Sequence, residues 1–332
     1  MLKTNQDADS TQYFPKENKF KSKFKSFWNF SRPHTIIGTT LSVFALCIMA
    51  VTRAAPITWD LPRILVNIFL ALIPSLCANV YIVGLNQLTD IEIDRINKPN
   101  LPLASGDFSE IEGRWIVILL GVAGLLLAAS QGNILFGTVA LSMAIGTAYS
   151  LPPLRLKRFP FWAALCIFGV RGMVVNLGFY SHFQQLFSPI STSVTLFAWE
   201  SIPSEVWALT AFVILFAFAI AIFKDIPDID GDRQFQIRTL TVRLGSEFVF
   251  WLSQWVLTLC YGLLIILALI GFLPSLQPMF VVSTHLGLLG LMWLIGFRVN
   301  LEDKSQISQY YQFIWKLFFL EYLLFPIACL IA

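Results

Sequence analysis

Residues 63–94 read RILVNIFLALIPSLCANVYIVGLNQLTDIEID. No charged side chain falls between Arg63 and Asp90, which is long enough to cross the roughly 30 Å hydrocarbon layer of a bilayer as a helix of about 20 residues. The same stretch closes on Asn86, Asp90 and Asp94, spaced four residues apart. One segment therefore predicts a membrane span and, at one end of it, a polar site.

Eight further apolar stretches of similar length flank this one. Together the nine run His34 to Thr52, Arg63 to Leu88, Arg114 to Ser130, Asn133 to Ser150, Pro160 to Tyr180, Glu205 to Lys224, Glu247 to Gly271, Leu276 to Phe297 and Gln309 to Ile331. Of the 332 residues 56% are hydrophobic and 13% charged, about half the roughly 25% charge of a soluble domain. With a mean hydropathy of +0.70, the expected fold is an all-α integral membrane protein of nine transmembrane helices. A net charge of +3, with Lys and Arg scattered between apolar runs, offers no basic face for nucleic acid. The five cysteines lie inside apolar runs without metal-ligand spacing, and they read as packing residues. His34, His182 and His285 are far apart in the sequence, which favours ordinary roles.

Lys and Arg set the expected orientation. The polar arm, residues 1–33, holds seven, and the connections after spans two, four, six and eight hold three, three, four and two. The opposite face has only Arg53 and Arg63. The N-terminus is thus expected in the cytoplasm, with the arm retained in the mature protein because no small-residue cleavage site follows it. Residues 34–332 then form one domain. At the end of the arm Phe20, Phe24, Phe27 and Trp28 alternate with lysines, as in an interfacial amphipathic helix or, equally, a charged disordered tail, with disorder expected before Lys19.

Ten of the twenty acids fall in two short segments: Asp90, Glu92, Asp94, Asp107, Glu110 and Glu112, then Asp225, Asp228, Asp230 and Asp232. Both follow an even-numbered span, so they open on one face, and four spans separate them. This predicts two similarly oriented halves whose acidic clusters meet across one cavity. If span two continues as a helix, Asn86, Asp90 and Asp94 stack along one face. Asp225, Asp228 and Asp232 share a face as well, with Pro227 marking a helix end or restart and Asp230 pointing elsewhere. Stacked carboxylates repel by about 1 kcal/mol per pair in water and up to roughly 4 at an effective dielectric of 20, so cations are needed. Neighbouring Lys and Arg supply one solution and Mg²⁺ the other. Mg²⁺ binds through one or two carboxylates plus substrate phosphates, which suits two separated carboxylate sets around a diphosphate. A calcium loop fits poorly, because Gly231 stands at loop position four and Thr239 at twelve.

A diphosphate also needs donors. The same face carries Arg95 and Lys98, Lys224 and Arg233, and, after Tyr149 and the span-ending Pro152 and Pro153, Arg155, Lys157 and Arg158. The positive-inside rule accounts for part of this set. Charges inside spans are costly, which makes Arg171, Lys316 and Glu321 second-tier candidates. Arg171 is the best placed of them for an anionic group on a second substrate, whereas Lys316 and Glu321 also suit pairing or snorkelling.

The two motifs, Asn86-Gln-Leu-Thr-Asp90-Ile-Glu-Ile-Asp94 and Asp225-Ile-Pro-Asp228-Ile-Asp-Gly-Asp232, resemble the paired aspartate motifs of UbiA-type membrane prenyltransferases. Phe30-Ser-Arg-Pro-His-Thr-Ile-Ile-Gly38, Asn79 to Asn86, Asp94 to Ala104 and Phe313 to Tyr322 are similar, within that superfamily, to the homogentisate phytyltransferase group of cyanobacterial type. The resemblance spans about Phe27 to Pro326. It implies nine helices around a lipid-open cavity and a bound Mg²⁺ held by Asp90, Asp94, Asp228 and Asp232, with Asn86 and Asp225 assisting. It further implies phytyl diphosphate as donor and homogentisate as acceptor, with decarboxylation during transfer. Geranylgeranyl and solanesyl donors present the same head group, so the tail stays open. A divalent-cation transporter is the competing class, but the acids crowd one face and the opposite connections are nearly uncharged.

Overall fold

The computed structural model describes residues 19–54, 60–187, 201–234 and 239–332. The arm before Lys19, Arg238 and the side chain of Asp230 lie outside this description. The described residues form helices and no strands. In chain order the first are α1 (Lys19–Phe30), α2 (Pro33–Arg53), α3 (Leu61–Thr89), α4 (Ile91–Asn97), α5 (Pro102–Ser105), α6 (Glu110–Ser130) and α7 (Asn133–Ser150). A single span follows, built from α8 (Pro160–Phe168), a π-helical segment (Gly169–Val174) and α9 (Val175–Phe187). The chain ends with α10 (Ser204–Phe223), α11 (Ile229–Gln234), α12 (Leu240–Leu244), α13 (Ser246–Leu269), α14 (Pro278–Gly296) and α15 (Lys304–Leu330).

Nine of these helical stretches are long and apolar enough to cross a membrane, matching the nine read from the sequence. Several run further than hydropathy indicated, spans five and nine the most. Span five continues to Phe187 because polar His182 is buried, 3% exposed, inside the bundle. Span nine begins at Lys304, where Asp303 caps the backbone N–H groups of Ser305 and Gln306. Local chemistry sets other ends too: Ser109 and Glu112 form a capping box at the start of α6, and Asp60 accepts from the Arg63 N–H at the start of α3.

The outside of the bundle is apolar. Along α6, Trp115, Ile118, Leu119, Val122 and Leu126 are all exposed, at helical spacing, and only acyl chains solvate such a stripe without cost. Its other face meets α3 closely. A side chain on Gly124 would lie 3.3 Å from the Ala78 nitrogen and the Pro74 carbonyl oxygen, the small-residue contact on which membrane helices associate. The centre belongs to α10, whose Phe212, Phe216 and Phe223 are enclosed, packed by α13 and α15.

The acidic connections gather at one end, where α11 packs against α4. The arm joins them as a helix from Lys19 onward. Phe30 is fully buried against Phe108, with ring centroids 5.8 Å apart. Ser26 donates to Asp107 at 3.0 Å and Lys23 pairs with Glu112 at 2.9 Å. Phe24 and Trp28 face outward.

Candidate active site

The single helix expected through Asn86, Asp90 and Asp94 is broken. α3 ends at Thr89, Asp90 occupies the junction with φ −125° and ψ 18°, and α4 restarts at Ile91. The reason is a competing partner for the helix end: Arg155 donates to the Thr89 carbonyl at 3.2 Å, while the Thr89 hydroxyl turns back to the Asn86 carbonyl at 2.9 Å. Convergence survives the break. The Asn86 amide donates to Asp90 Oδ2 at 3.1 Å, and Asp94 lies close enough to Asp90 and Asp228 for their charges to act on it.

In the second segment α10 ends at Phe223 and α11 begins at Ile229, with Pro227 in the turn between them, as its ring favours. The Asp232 N–H donates to the Asp228 carbonyl at 3.1 Å. Asp225 pairs with Lys224 at 3.2 Å.

Cations from other segments clasp Asp90 and Asp228. Lys157 reaches Asp90 Oδ1 at 2.7 Å and also donates to the Thr89 hydroxyl at 2.7 Å, and Arg155 stands 3.5 Å from the same carboxylate. Lys98, at the end of α4, reaches across to Asp228 Oδ2 at 2.6 Å. The sequence-predicted Lys98, Arg155, Lys157 and Lys224 thus meet the aspartates. Arg95 does not: it pairs with Glu92 at 2.9 Å on the exposed side of α4. Arg233 points outward from α11 and is exposed, as is Arg158. Tyr149, half-buried at the end of α7, lies within electrostatic reach of Lys224, Asp90 and Asp225.

Two participants escaped the sequence reading. Arg32, given no site role there, donates to the Asn86 side-chain oxygen Oδ1 at 3.4 Å. Thr89 anchors both Lys157 and Arg155. Arg32 and Arg155 are the non-glycine residues of positive φ among the described residues, at 51° and 37°, a conformation costing about 1–3 kcal/mol. For Arg32 the sequence carries one signal, its place between Ser31 and helix-starting Pro33.

The electrostatics of the aspartates are uneven. Burial, reinforced by the charges of Asp90 and Asp228, holds the Asp94 carboxyl above the ordinary range against Arg32 and Lys98. Burial and then Asp225 and Asp228 lift Asp232 to about 6. Burial lowers the Lys157 ammonium against the pull of Asp90, and Asp225 raises Lys224.

Buried groups of both signs lack partners here. Asp94 Oδ2, Arg32 Nε and Arg155 Nε are buried without a hydrogen bond among the described residues, and unpaired buried polar atoms are costly. An acceptor awaiting a cation beside donors awaiting an anion is the donor set of a metal–diphosphate, so these residues fit Mg²⁺. Among the described residues, no three acids yet converge as a metal-binding cluster.

Arg171 lies deeper, on the π-helical segment of span five, and π-bulges are frequent at functional sites. Its guanidinium is 5.6 Å from the Trp315 ring centroid and 5.5 Å from that of Phe318. Gly38 leaves room for it, since a side chain there would meet the guanidinium at 2.6 Å. Arg171 has no acidic partner among the described residues. His34 stacks on Trp315, centroids 4.9 Å apart, within electrostatic reach of Arg32, Arg171 and Lys98. The other two intramembrane candidates fall away: Lys316 is exposed on the outside of α15, and Glu321 pairs with His285 at 2.9 Å inside the bundle.

Comparison with known proteins places these features in context. The profile described as "UbiA prenyltransferase family" matches residues 41–317. The homogentisate phytyltransferase of Synechocystis sp. is 51% identical over 304 residues, 92% of this chain and 95% of that protein. The homogentisate geranylgeranyltransferase of Hordeum vulgare is 39% identical, over 92% of this chain and 72% of its own. In fold, a UbiA homologue from Archaeoglobus fulgidus, solved bound to GPP and Mg²⁺, superposes with a TM-score of 0.57 at 16% identity, covering 91% of this chain and 99% of its own.

Proposed function

The chain belongs to the UbiA prenyltransferase family, and on that premise we propose that it transfers a phytyl group from phytyl diphosphate to homogentisate. Decarboxylation accompanies transfer, and the product is 2-methyl-6-phytyl-1,4-benzoquinol, a tocopherol precursor. One geometric observation carries the reaction class: the two aspartate segments meet at α4 and α11 around unpaired groups of both signs. The 51% identity to the Synechocystis enzyme over nearly the whole of both chains supports the choice of donor and acceptor.

Asp90, Asp94, Asp228 and Asp232 would hold Mg²⁺, with Asn86 and Asp225 assisting, and Asp94 Oδ2 is the open acceptor. Bound there, Mg²⁺ neutralises charge on the leaving diphosphate oxygens. Arg32 and Arg155 offer free Nε–H donors to the same diphosphate, joined by Lys98, Lys157 and Lys224, so that charge released as the allylic carbon–oxygen bond ionises falls on prepared donors. Tyr149 borders this group. Apolar helix walls exclude the water that would quench the allylic cation. Arg171, cationic and without an acidic partner among the described residues, binds the homogentisate carboxylate; a ring carbon attacks the cation and loses its proton, while the side-chain methylene releases carbon dioxide and takes up a proton to become the methyl group.

Residues 34–332 form the catalytic domain, with Arg32 reaching it from the arm. The Lys and Arg asymmetry supports the N-terminus and the site on the cytoplasmic face of a plasma or thylakoid membrane. Membranes containing the chain, given homogentisate, Mg²⁺ and competing phytyl, geranylgeranyl and solanesyl diphosphates, should form a decarboxylated phytyl adduct by mass spectrometry. A different tail would reassign the donor, and no adduct from folded protein would reject the function.

A further inference from the structure

Lys98 and Lys157 occupy the very carboxylates on which the proposed function places the metal. The Lys98 ammonium is 2.6 Å from Asp228 Oδ2 and that of Lys157 is 2.7 Å from Asp90 Oδ1. Each aspartate segment thus has a carboxylate held by a lysine from another segment, Asp90 or Asp228, and one buried acid, Asp94 or Asp232, that makes no ion pair with the described residues. Ammonium groups meet the need for positive charge, with Lys224 on Asp225 as the third, and no three acids converge among the described residues.

An ammonium and a divalent ion compete for one carboxylate oxygen. Mg²⁺ sits about 2.1 Å from its oxygen ligands, so a metal on Asp228 Oδ2 would stand roughly 4 Å from the Lys98 ammonium, and like charges at that separation repel. Arrival of the metal therefore drives the lysine off. Lys98 is free to do so, being 41% exposed at the end of a short helix. Lys157 is more enclosed, at 11% exposure, but keeps a second partner in the Thr89 hydroxyl as it turns. The nearest new partner for either is the other anion of the site, the diphosphate.

We infer that Lys98 and Lys157 are exchange residues. In the free protein each blocks a metal-binding aspartate, and each passes to the diphosphate when metal takes the carboxylate. Metal alone then binds poorly, and metal and diphosphate strengthen one another reciprocally. The inference rests on the metal–diphosphate reading above and adds an order to it: the aspartates are not a preformed metal site but become one as the donor draws the lysines off.

The test is Mn²⁺ affinity of the purified full chain in nanodiscs, read by electron paramagnetic resonance of free Mn²⁺ without any donor. Lys98→Gln and Lys157→Gln should each bind Mn²⁺ about five- to tenfold more tightly than wild type, the lower end of ordinary site-to-site coupling. Lys98→Arg, which keeps a cation on Asp228, should stay near wild type and guards against a folding artefact. Arg158→Gln removes a charge from the same connection without touching an aspartate. Equal tightening in Arg158→Gln would make the effect general electrostatics and overturn the exchange. Unchanged or weaker binding in both lysine variants would overturn it while leaving the metal reading intact. Absence of Mn²⁺ binding in every variant would overturn both.

Discussion

The two aspartate segments look alike in sequence and are built differently. In each, a lysine from another segment holds one carboxylate and a second is buried with no ion pair among the described residues: Asp90 and Asp94 in the first, Asp228 and Asp232 in the second. The first segment takes its lysine from the connection after span four and adds Arg155 and Arg32. The second has its own Lys224 on Asp225 and takes the lysine on Asp228 from the first, through Lys98. The first segment is therefore braced by its own half of the bundle, whereas Asp228 of the second is held across the halves. That asymmetry makes the site one unit, although the chain delivers it in two pieces.

The largest effect tests that unity as a whole. Chelation of divalent metal should abolish prenyl transfer in purified protein, and added Mg²⁺ should restore it. Activity persisting in excess chelator would remove the reason for both segments at once. Next, Asp94→Asn and Asp232→Asn should each lower turnover about a hundredfold or more, since both take charge from a shared metal and even indirect ligand supports are worth 10–100-fold. Comparable losses, with both proteins still extractable and monodisperse, keep the halves joined. Loss confined to one variant would break the comparison and leave a single-segment site.

A second pair of regions sharpens the contrast between open and closed charges. Arg171 has aromatic faces and no acid among the described residues, while Glu321 has His285. Arg171→Leu should raise the apparent KM for homogentisate about tenfold or more, the worth of a charged hydrogen bond, with little change in the donor KM. An unchanged acceptor KM rejects the carboxylate role. Glu321→Leu strands the second nitrogen of buried His285 and should lower the melting temperature in detergent by a few degrees, the scale of an interhelical polar contact. Both KM values should hold, and a shift in either would draw Glu321 into the site.

The spans were legible because a bilayer imposes its thickness on the sequence, and the acids were legible because ten of twenty fall in two short segments. What escaped depends on partners distant in the chain. The break at Asp90 arises from Arg155, 66 residues from Thr89. The place of Arg32 depends on α1 docking through Phe30, whose carbonyl accepts from buried Gln87 at 2.7 Å. The π-helical segment that carries Arg171 has no local sequence mark, since Gly169 to Val174 reads as ordinary apolar helix apart from the arginine itself. Periodicity assigns residues to faces of one element; it is silent on which element another side chain will interrupt.

Arg95 shows the same limit from the other side, and it supplies the smallest effect. It is one residue from Asp94 in sequence, so charge proximity alone recommends it for the diphosphate. The helix restart at Ile91 turns it outward to Glu92 three residues back, where both partners are exposed, 56% and 75%, and such pairs contribute little. Arg233, next to Asp232, is exposed in the same way. Each stands beside a buried aspartate because a helix sends neighbouring residues about 100° apart: burying the acid obliges the adjacent arginine to face away. Arg95→Gln and Arg233→Gln should therefore keep kcat and the donor KM within about twofold of wild type, as removal of an exposed charge does. A donor KM raised in Arg95→Gln alone would mean that α4 rotates as the donor binds, and the braced first segment would then be the mobile one.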